Sequence, residues 1–378
     1  MASQIVFINQ ATGYLTIDIV NAFAREFDRV ALISGSIRVQ DTELDPRVKI
    51  SSITKYNRGS NLRKAVSWLI GTIQIWLLLC FRYRKYEKFF FTIPPTAYLP
   101  ALKLKQPFTI LIYDLYPDAL LMHRFSRQSL VYKWWAEKNR KVFNKAHRLY
   151  TISEGMRRQI LDSCPHSDPL VIPNWSAFSM YTPVERDENT LIRKEGLQDK
   201  FIVQYSGNIG YSHNVEVLIE VAERLADEEG VMFQIIGRGE KSATIERLAE
   251  SKGLKNCRFL PFREDALLYE SLCAADLAVV TLDDRMPDIS VPSKTYNIMA
   301  AGRPLLAIAS EKSGLAALIN EHDIGRVFEK DRIDDLAEFI LRLKKEPAEL
   351  SRYAANSLKA SVKYTSDNAG LYLKSYID

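Results

Sequence analysis

Short apolar segments alternate with helix-like segments along the whole chain, and this alternation most limits the folds that it can adopt. In the first half, strand-like composition occurs at residues 4–8, 29–33, 47–51, 88–92, 107–113 and 147–152. In the second half, it recurs at residues 201–206, 231–236, 257–260, 276–280 and 304–308. Strands that alternate with helices form parallel sheets with helices on both faces. The sequence therefore predicts an α/β protein with two Rossmann-like domains.

A proline-rich segment separates these domains. Residues 165–183 contain four prolines, and proline interrupts both helices and central strands. We place the first domain at residues 1–180 and the second at 181–361. Ligands of parallel sheets bind at the carboxyl ends of the strands. In the first domain, those ends carry Asn9, Gln10, Pro94, Pro95, Asp114, Ser153 and Glu154.

The two halves of the chain differ in charge. Residues 1–180 contain 25 lysines and arginines against 13 aspartates and glutamates, a net charge of +12. The remainder contains 26 against 33, a net charge of −7. A basic domain favours an anionic partner, either nucleic acid or an acidic membrane surface. The sequence has no arginine-rich recognition helix, zinc finger or RNA-binding aromatic motif, so we expect membrane contact and no nucleic acid.

An uncharged helical segment in the first half also bears on membrane contact. Residues 65–81 contain no charged side chain, and basic residues flank them on both sides. Three interpretations are open: a helix buried under the sheet, a helix in the membrane interface with Trp68 and Trp76, or a transmembrane span. The span is least favoured, because the strands before and after the segment belong to one sheet.

A second helical segment, residues 124–148, is rich in lysine and arginine. Helical spacing places five apolar side chains near one face: Leu130, Val131, Trp134, Trp135 and Phe143. A basic helix with tryptophans suits anionic lipid. A core helix with a solvated charged face is the alternative.

Three loops at strand ends in the second half have features of phosphate sites. Gly207 and Gly210 follow one strand, and Arg238 stands between two glycines after the next strand. Glycine lets the backbone approach a phosphate, and arginine suits its charge. Phe262, from RFLPFR at residues 258–263, would contact a base with its flanking arginines. Together with the third loop, described next, they predict a diphosphate site.

The third loop opens the stretch MPDISVPSKTYNIMAAGRPLL at residues 286–306. Pro292 suits the first turn of a helix and Gly302 suits its end. Ser293 and Lys294 would then lie at a positive helix N-terminus, which binds anions. An ordinary turn with one solvent-exposed lysine is the alternative.

These motifs together resemble glycosyltransferase family 4, the retaining sugar-nucleotide transferases of GT-B fold. The second half carries YSGNIG, IGRGE, FLPF, LYESLCAADLAVVTL and VPSKTYNIMAAGRPLLA. DLYPD, TIPP, TISEGM and VIPNW in the first half are similar to the branch that builds bacterial surface polysaccharides. The resemblance implies a nucleotide-sugar donor in the second domain, an acceptor in the first and transfer without a metal. It also implies that the helix at residues 364–376 crosses back, which assigns 362–378 to the first domain.

The sequence departs from the family pattern at four positions. Ile289 and Asn297 stand where the family usually has two glutamates, and Asn208 and His213 stand near the places of a basic pair. Phosphate binding would therefore shift to Lys294 and Arg238. The departures put recognition of the donor sugar in question.

The resemblance and the residues together give a candidate site. Arg238 and Lys294 would stabilise the leaving diphosphate. Asp114 would orient the acceptor hydroxyl, unless it is only a helix N-cap. The predicted donor-binding residues are Gly13, Gly207, Asn208, Gly210, Arg238, Phe262, Ser293, Lys294 and Asn297.

The expected function is a retaining transferase that moves a sugar from a nucleoside-diphosphate sugar, with UDP as the expected nucleotide, to a lipid-linked or polysaccharide acceptor. We expect it on the cytoplasmic, inner face of the plasma membrane, as a peripheral protein. No cofactor besides the donor is expected, and the histidines show no metal-ligand spacing. Two alternatives are a catalytically inactive scaffold of a membrane assembly complex, suggested by the missing glutamates, and a GT-B sugar-nucleotide epimerase.

Overall fold

The computed structural model describes residues 3–57, 59–123, 126–178, 181–210, 213–283 and 291–378, with backbone only at 61, 122 and 123. The chain forms two compact units, Met1–Ala177 with Ser366–Asp378, and Phe178–Thr365. The first boundary between the units, after Ala177, falls within the proline-rich segment. The chain re-enters the first unit after Thr365, whereas the sequence predicted that the second domain ends at residue 361.

The first unit is built on a parallel sheet of seven strands in the order β5-β3-β1-β6-β7-β8-β9. These strands are β1 (Gln4–Ile8), β3 (Arg29–Ser34), β5 (Lys49–Ser52), β6 (Glu87–Phe91), β7 (Phe108–Ile112), β8 (Arg148–Thr151) and β9 (Pro169–Val171). Two short strands, β2 (Ala11–Thr12) and β4 (Ser36–Ile37), pair beside it. The helices are α1 (Tyr14–Ala24), α2 (Asn61–Phe81), α3 (Leu130–Lys145) and α4 (Glu154–Ser163). Short 3-10 helices span Leu99–Lys103 and Asp118–His123.

The second unit has a parallel sheet of six strands in the order β12-β11-β10-β13-β14-β15. They are β10 (Phe201–Asn208), β11 (Val231–Arg238), β12 (Cys257–Leu260), β13 (Leu277–Thr281), β14 (Leu305–Ile308) and β15 (Gly325–Phe328). A 3-10 helix (Arg186–Glu188) precedes α5 (Thr190–Glu195), α6 (Glu216–Arg224), α7 (Ser242–Ser251) and α8 (Asp265–Cys273). The remaining helices are α9 (Ser293–Ala300), α10 (Gly314–His322), α11 (Ile333–Lys345) and α12 (Pro347–Ser361).

The central strands of both sheets are buried on both faces, as their continuous apolar runs predict, whereas the edge strands β5, β9, β12 and β15 are partly exposed. In the first unit, Phe7 on β1 packs against Phe89 on β6 and Phe23 on α1, with ring centroids 5.0 and 5.2 Å apart. In the second unit, Val203 and Phe233 lie in one core cluster with residues of α6 and α11. Two Rossmann-like units are therefore confirmed as the fold.

The last helix, α13 (Asn368–Ile377), belongs to the first unit, which confirms the predicted crossing. The Tyr372 ring contacts Tyr150 on β8 at 4.9 Å, and the Tyr376 ring contacts Phe23 at 5.2 Å. The Tyr376 hydroxyl donates to the Glu87 carboxylate. Aromatic burial therefore attaches the end of the chain to the first sheet.

The interpretation of residues 65–81 as a buried helix is wrong. Helix α2 begins earlier, at Asn61, where the Ser60 hydroxyl caps it by accepting from the Arg63 N–H. Its outer face exposes a row of large apolar side chains: Leu62, Val66, Leu69, Ile70, Ile73, Leu77 and Phe81. By length and composition, residues 62–81 could cross a membrane. Only 22% of this stretch is buried within the protein, whereas a core helix would be mostly buried.

A narrow stripe of α2 faces the sheet: Ser67, Gly71, Ile75 and Leu79. The buried Gln10 amide donates to the carbonyl oxygens of Ser67 and Thr54 at 2.8 and 2.9 Å, which ties α2 to the end of β1. A Cβ atom on Gly71 would lie 2.5 Å from Gln10 Nε2. The helix thus lies along the first unit, with β5 before it and β6 after it in one sheet.

The predicted single apolar face of residues 124–148 is also wrong. Trp135 and Phe143 on α3 are buried, whereas Leu130, Val131 and Trp134 are exposed. Trp134 and Trp135 differ by about 100° around the helix, so only one of them can face the core. Helix α3 therefore combines a core-facing stripe with an exposed apolar cluster at its N-terminal end.

Replacing Tyr372 by alanine should lower the free energy of unfolding of the first unit by about 3–5 kcal/mol, as for other buried aromatic side chains. All five tryptophans lie in the first unit, so urea unfolding followed by tryptophan fluorescence reports on that unit. The control is Leu371→Ala on the same helix, where the side chain is 46% exposed. Similar losses in both variants would contradict the packing described.

Candidate active site

The carboxyl ends of β10 and β11 meet at two glycines. The strands run in parallel register, with Gly207 beside Gly237 and Asn208 beside Arg238. A Cβ atom on Gly237, which has a φ of +157°, would lie 1.9 Å from the Gly207 carbonyl oxygen. Only glycine fits there, and the two predicted loops consequently lie side by side at one edge of the sheet.

Backbone hydrogen bonds join the two loops. The Ile209 N–H donates to the Arg238 carbonyl at 2.9 Å, and the Lys241 N–H donates to the Ile209 carbonyl at 3.0 Å. A Cβ atom on Gly210 would lie 2.7 Å from the Asn208 side-chain amide and 3.1 Å from a Glu240 carboxylate oxygen. Gly210 therefore supports the turn next to Asn208.

Helix α9 begins at Ser293, directly after Pro292, and ends at Ala300. Gly302 follows with a φ of +64°, the left-handed conformation that commonly ends helices. No side chain of the described residues caps the N-terminus. The Thr295 N–H donates to the Pro292 carbonyl at 2.9 Å, which leaves the N–H groups of Ser293 and Lys294 for an anion. Ile289 and the rest of 286–290 lie outside the described residues.

A cavity of about 360 Å³ adjoins the start of α9. It brings together six of the predicted donor-binding residues: Gly207, Asn208, Phe262, Ser293, Lys294 and Asn297. Its other lining residues are Ser206, His213, Leu268, Leu272 and Pro292. Backbone amides, a hydroxyl, an amine and an aromatic ring therefore face a single space in the second unit.

Lys294 projects into this cavity without a hydrogen-bond acceptor. Its Nζ atom is buried and has no hydrogen-bond partner among the described residues. The Nζ atom lies 4.1 Å from the centroid of the Tyr205 ring, and 3.4 Å from where a Cβ of Gly207 would be. Burial lowers the pKa of the Lys294 amine from 10.5 to about 7. The interpretation as an ordinary solvent-exposed lysine is therefore wrong.

His213 also lines the cavity. Burial lowers the pKa of its imidazole to about 4, and the charges of Lys294 and Lys241 act in the same direction. Its backbone carbonyl accepts a hydrogen bond of 2.7 Å from Lys241 Nζ. His213 is therefore neutral at physiological pH, and it adds no positive charge to the cavity.

Arg238 is exposed beside the cavity, with its guanidinium 5.2 Å from the centroid of the Phe262 ring. The flanking arginines of RFLPFR have other partners. Arg258 donates to the Glu195 carbonyl at 2.6 Å, and Arg263 forms an ion pair with the Glu195 carboxylate. Phe262 is consequently the residue of this motif that lines the cavity.

The two remaining predicted site residues lie in the first unit. Asp114 follows β7, and its N–H and that of Tyr113 point to the Thr92 hydroxyl oxygen at 3.4 and 3.1 Å. The next helical element begins only at Asp118, so Asp114 does not cap it. Desolvation by surrounding protein raises the pKa of the Asp114 carboxyl group and Lys64 opposes this, but solvent reaches the side chain and screens both effects.

Gly13 lies just before α1 in an extended conformation, with a φ of −120°. A Cβ atom there would meet nothing within 4 Å. The backbone therefore does not require glycine at this position, unlike Gly237.

Sequence reasoning missed two features of the cavity. Tyr205 lies beneath Lys294, and its hydroxyl donates to the Asn208 carbonyl at 2.6 Å. Leu268 and Leu272 on α8 form the apolar part of the lining. Tyr205 belongs to the YSGNIG motif, but nothing local to that motif indicates contact with a residue 89 positions later.

Comparisons with known proteins agree with this architecture. Residues 187–360 match the family described as glycosyl transferases group 1. WbjE of Pseudomonas aeruginosa, named as a glycosyltransferase, is 25% identical over 342 residues, covering 86% of this chain and 84% of WbjE. WcaI of Escherichia coli, named for colanic acid biosynthesis, is 33% identical over 171 residues, which cover 44% of this chain and 42% of WcaI.

Solved structures share the fold across the whole chain. The lipopolysaccharide glycosyltransferase WaaG superposes with a TM-score of 0.70 at 17% identity, covering 98% of each chain. HepE of Anabaena, solved with UDP, superposes with a TM-score of 0.73 at 14% identity, covering 99% of each chain. The protein is therefore a glycosyltransferase of the GT-B fold, and residues 187–360 of its second unit are similar to the group 1 glycosyl transferases.

Proposed function

We propose that this enzyme is a retaining transferase, of the family 4 type, that moves a sugar from a UDP-sugar to a saccharide or lipid-linked acceptor in polysaccharide biosynthesis. The second unit binds the donor and the first unit binds the acceptor. One observation carries the proposal: the Lys294 amine, without a hydrogen-bond acceptor among the described residues, faces the same cavity as the start of α9 and the Gly207 backbone. Such a site is complementary to a diphosphate.

UDP is the favoured nucleotide because a structure of the same fold was solved with UDP. Phe262 at the cavity offers an aromatic face for the uracil ring. The Arg238 guanidinium lies over the Phe262 ring, 5.2 Å from its centroid. Polysaccharide biosynthesis is favoured by the name of WcaI. Asn297 lines the same cavity, and its amide can both donate hydrogen bonds to the donor and accept them from it.

In the proposed mechanism, retention follows from attack on the face of the sugar from which the phosphate departs. The bond between the anomeric carbon and the β-phosphate oxygen breaks while the acceptor oxygen bonds to the same face of the sugar. The acceptor proton passes to the departing phosphate, which gains negative charge as it leaves. Lys294 and Arg238 stabilise that charge without a metal ion or other cofactor. The anomeric configuration of the product, measured by proton NMR, tests retention directly.

The first unit supplies an acceptor site at the carboxyl ends of its strands. Asp114 lies at the end of β7, with an exposed carboxylate that can accept a hydrogen bond from an acceptor hydroxyl. Lys64 on α2 acts electrostatically on this carboxylate. The acceptor position is thus close to the helix that exposes an apolar face.

We further propose that this face holds the enzyme on the inner, cytoplasmic face of the plasma membrane as a peripheral protein. The outer row of α2 is apolar over its whole length, and Arg63, Arg82 and Arg84 at its two ends are exposed. Leu130, Val131 and Trp134 form a second exposed apolar cluster on the basic helix α3. Apolar side chains between cations suit an anionic bilayer surface.

Lys294→Met and Arg238→Ala should each lower donor turnover about 100-fold, because each removes a charge that stabilises the leaving group. In a thermal-shift panel of UDP-, GDP- and dTDP-sugars, the preferred donor at about 100 times its Kd should stabilise the wild type by about 2.7 kcal/mol. Lys294→Met should lose this shift. The controls are Lys255→Met and Arg247→Ala, at exposed positions of the same unit. Full activity in both site variants would refute the proposed donor site.

Asp114→Asn should lower transfer to the acceptor about 100-fold, in the range for a catalytic hydrogen-bonding or general-base group. The thermal shift with UDP should stay at the wild-type value, because the UDP cavity is lined by residues of the second unit. The control is Asp168→Asn, at an exposed position of the first unit. An unchanged transfer rate would remove Asp114 from the acceptor site.

Leu69→Glu combined with Ile73→Glu should lower binding to vesicles of anionic lipid at least about tenfold, because two apolar side chains no longer enter the bilayer. Co-sedimentation measures this binding. The matched control is Leu267→Glu with Val362→Glu, two exposed apolar positions of the second unit. Equal binding by both double variants would exclude α2 as the membrane contact.

A further inference from the structure

The Lys294 amine lies in a setting that disfavours charge when the cavity is empty. Its Nζ atom is buried, and no hydrogen-bond acceptor reaches it among the described residues. The Tyr205 ring, 4.1 Å away, is the contact that would favour an ammonium ion, and such contacts are weak compared with lost hydration. Burial accordingly brings the pKa of the amine to about 7. A large fraction of the molecules hold a neutral amine at physiological pH.

We propose that binding of the donor diphosphate loads one proton from solvent onto Lys294, so that the cation of the site forms together with the complex. This inference rests on the proposed donor site. A diphosphate beside the amine supplies the missing hydrogen-bond acceptors and a negative charge, both of which favour the ammonium ion. When the nucleoside diphosphate leaves, the proton returns to solvent, and no covalent bond changes in either direction.

The other titratable groups that line the cavity in the described part of the chain do not account for such an uptake. His213 has a pKa of about 4, because of burial and the nearby charges of Lys294 and Lys241. Burial raises the pKa of Tyr205, which stays protonated. Among the described residues, the charged groups on the surrounding loops are Arg238 and Glu240 after β11, Lys241 before α7, Arg263 and Glu264 after β12, and Asp283 after β13. Helix α8 contributes apolar Leu268 and Leu272 to the lining.

Proton loading would make the site select ligands by their negative charge more than by their shape. A ligand that fills the cavity without an anion, such as uridine, leaves the amine neutral and gains nothing from it. A diphosphate gains a charge-assisted hydrogen bond in a buried setting, where such bonds are strongest. The loss of the two usual family cations is then offset by one cation that exists mainly in the complex.

Isothermal titration calorimetry of the full chain with UDP at pH 8 tests the inference. Titrations in two buffers that differ in ionisation enthalpy give the number of protons taken up. The UDP phosphates are already ionised at this pH, since a phosphate monoester has a second pKa near 6. We expect uptake of about one proton with UDP and none with uridine, because an amine of pKa about 7 is mostly neutral at pH 8.

The His213→Gln variant serves as the matched control and should retain the uptake. UDP binding without net proton exchange would overturn the inference while leaving the donor site intact. Loss of the uptake in a His213→Gln protein that still binds UDP in the same titration would also overturn it, because the proton would then reside on the histidine. An absence of UDP binding by the wild type would instead refute the proposed donor function.

A second measurement needs no ligand. Between pH 7 and 10.5, the unfolded chain binds a proton at Lys294 that the folded chain does not, so this residue makes stability rise with pH. Lys294→Met should therefore raise the unfolding temperature most below pH 7, and its advantage should shrink as the pH approaches 10. Lys255→Met should show no such trend. An advantage of Lys294→Met that does not vary with pH would contradict a neutral amine in the empty site.

Discussion

The candidate active site depends on how closely β10 and β11 approach at their carboxyl ends. Because Gly237 has no Cβ, the Gly207 carbonyl can occupy the space that a side chain would need. The register of the two strands then places Asn208 beside Arg238. Tyr205, two residues before Gly207 on the same strand, forms the surface against which Lys294 lies. This pair of glycines thus sets the positions of both loops, and Lys294 lies against the strand that carries one of them.

Lys294 illustrates how a site can be less stable empty than occupied. An amine that loses its hydration without gaining an acceptor costs free energy, and the surrounding fold must hold it in place. Pro292 and Gly302 fix the two ends of α9, and the buried Tyr296 ring packs against Tyr364 at 4.8 Å. A rigid helix start therefore keeps the amine directed at the cavity, where an incoming anion recovers the lost interactions.

Local sequence signals were sufficient for much of the fold and for the loops that line the cavity at the start of α9. Strands buried on both faces need continuous apolar runs, which is why the runs at 201–206 and 231–236 predicted β10 and β11. Pro292 and Gly302 act through backbone conformation alone, so they located α9 to within a residue or two. The partners of Arg258 and Arg263 could not be predicted in this way, since Glu195 is distant in sequence.

Helix α2 shows why exposure resists prediction from periodicity. A helix that is apolar all round has no polar face to mark its outside. The structure turns its small and weakly polar residues inward, with Ser67 and Gly71 against Gln10. Leu69, Ile73 and Leu77 consequently point outward. A helix with its large apolar side chains outward is stabilised little by the protein core. Burial of those side chains in apolar surroundings outside the protein would stabilise it more. This arrangement is the physical basis for the proposed contact with lipid.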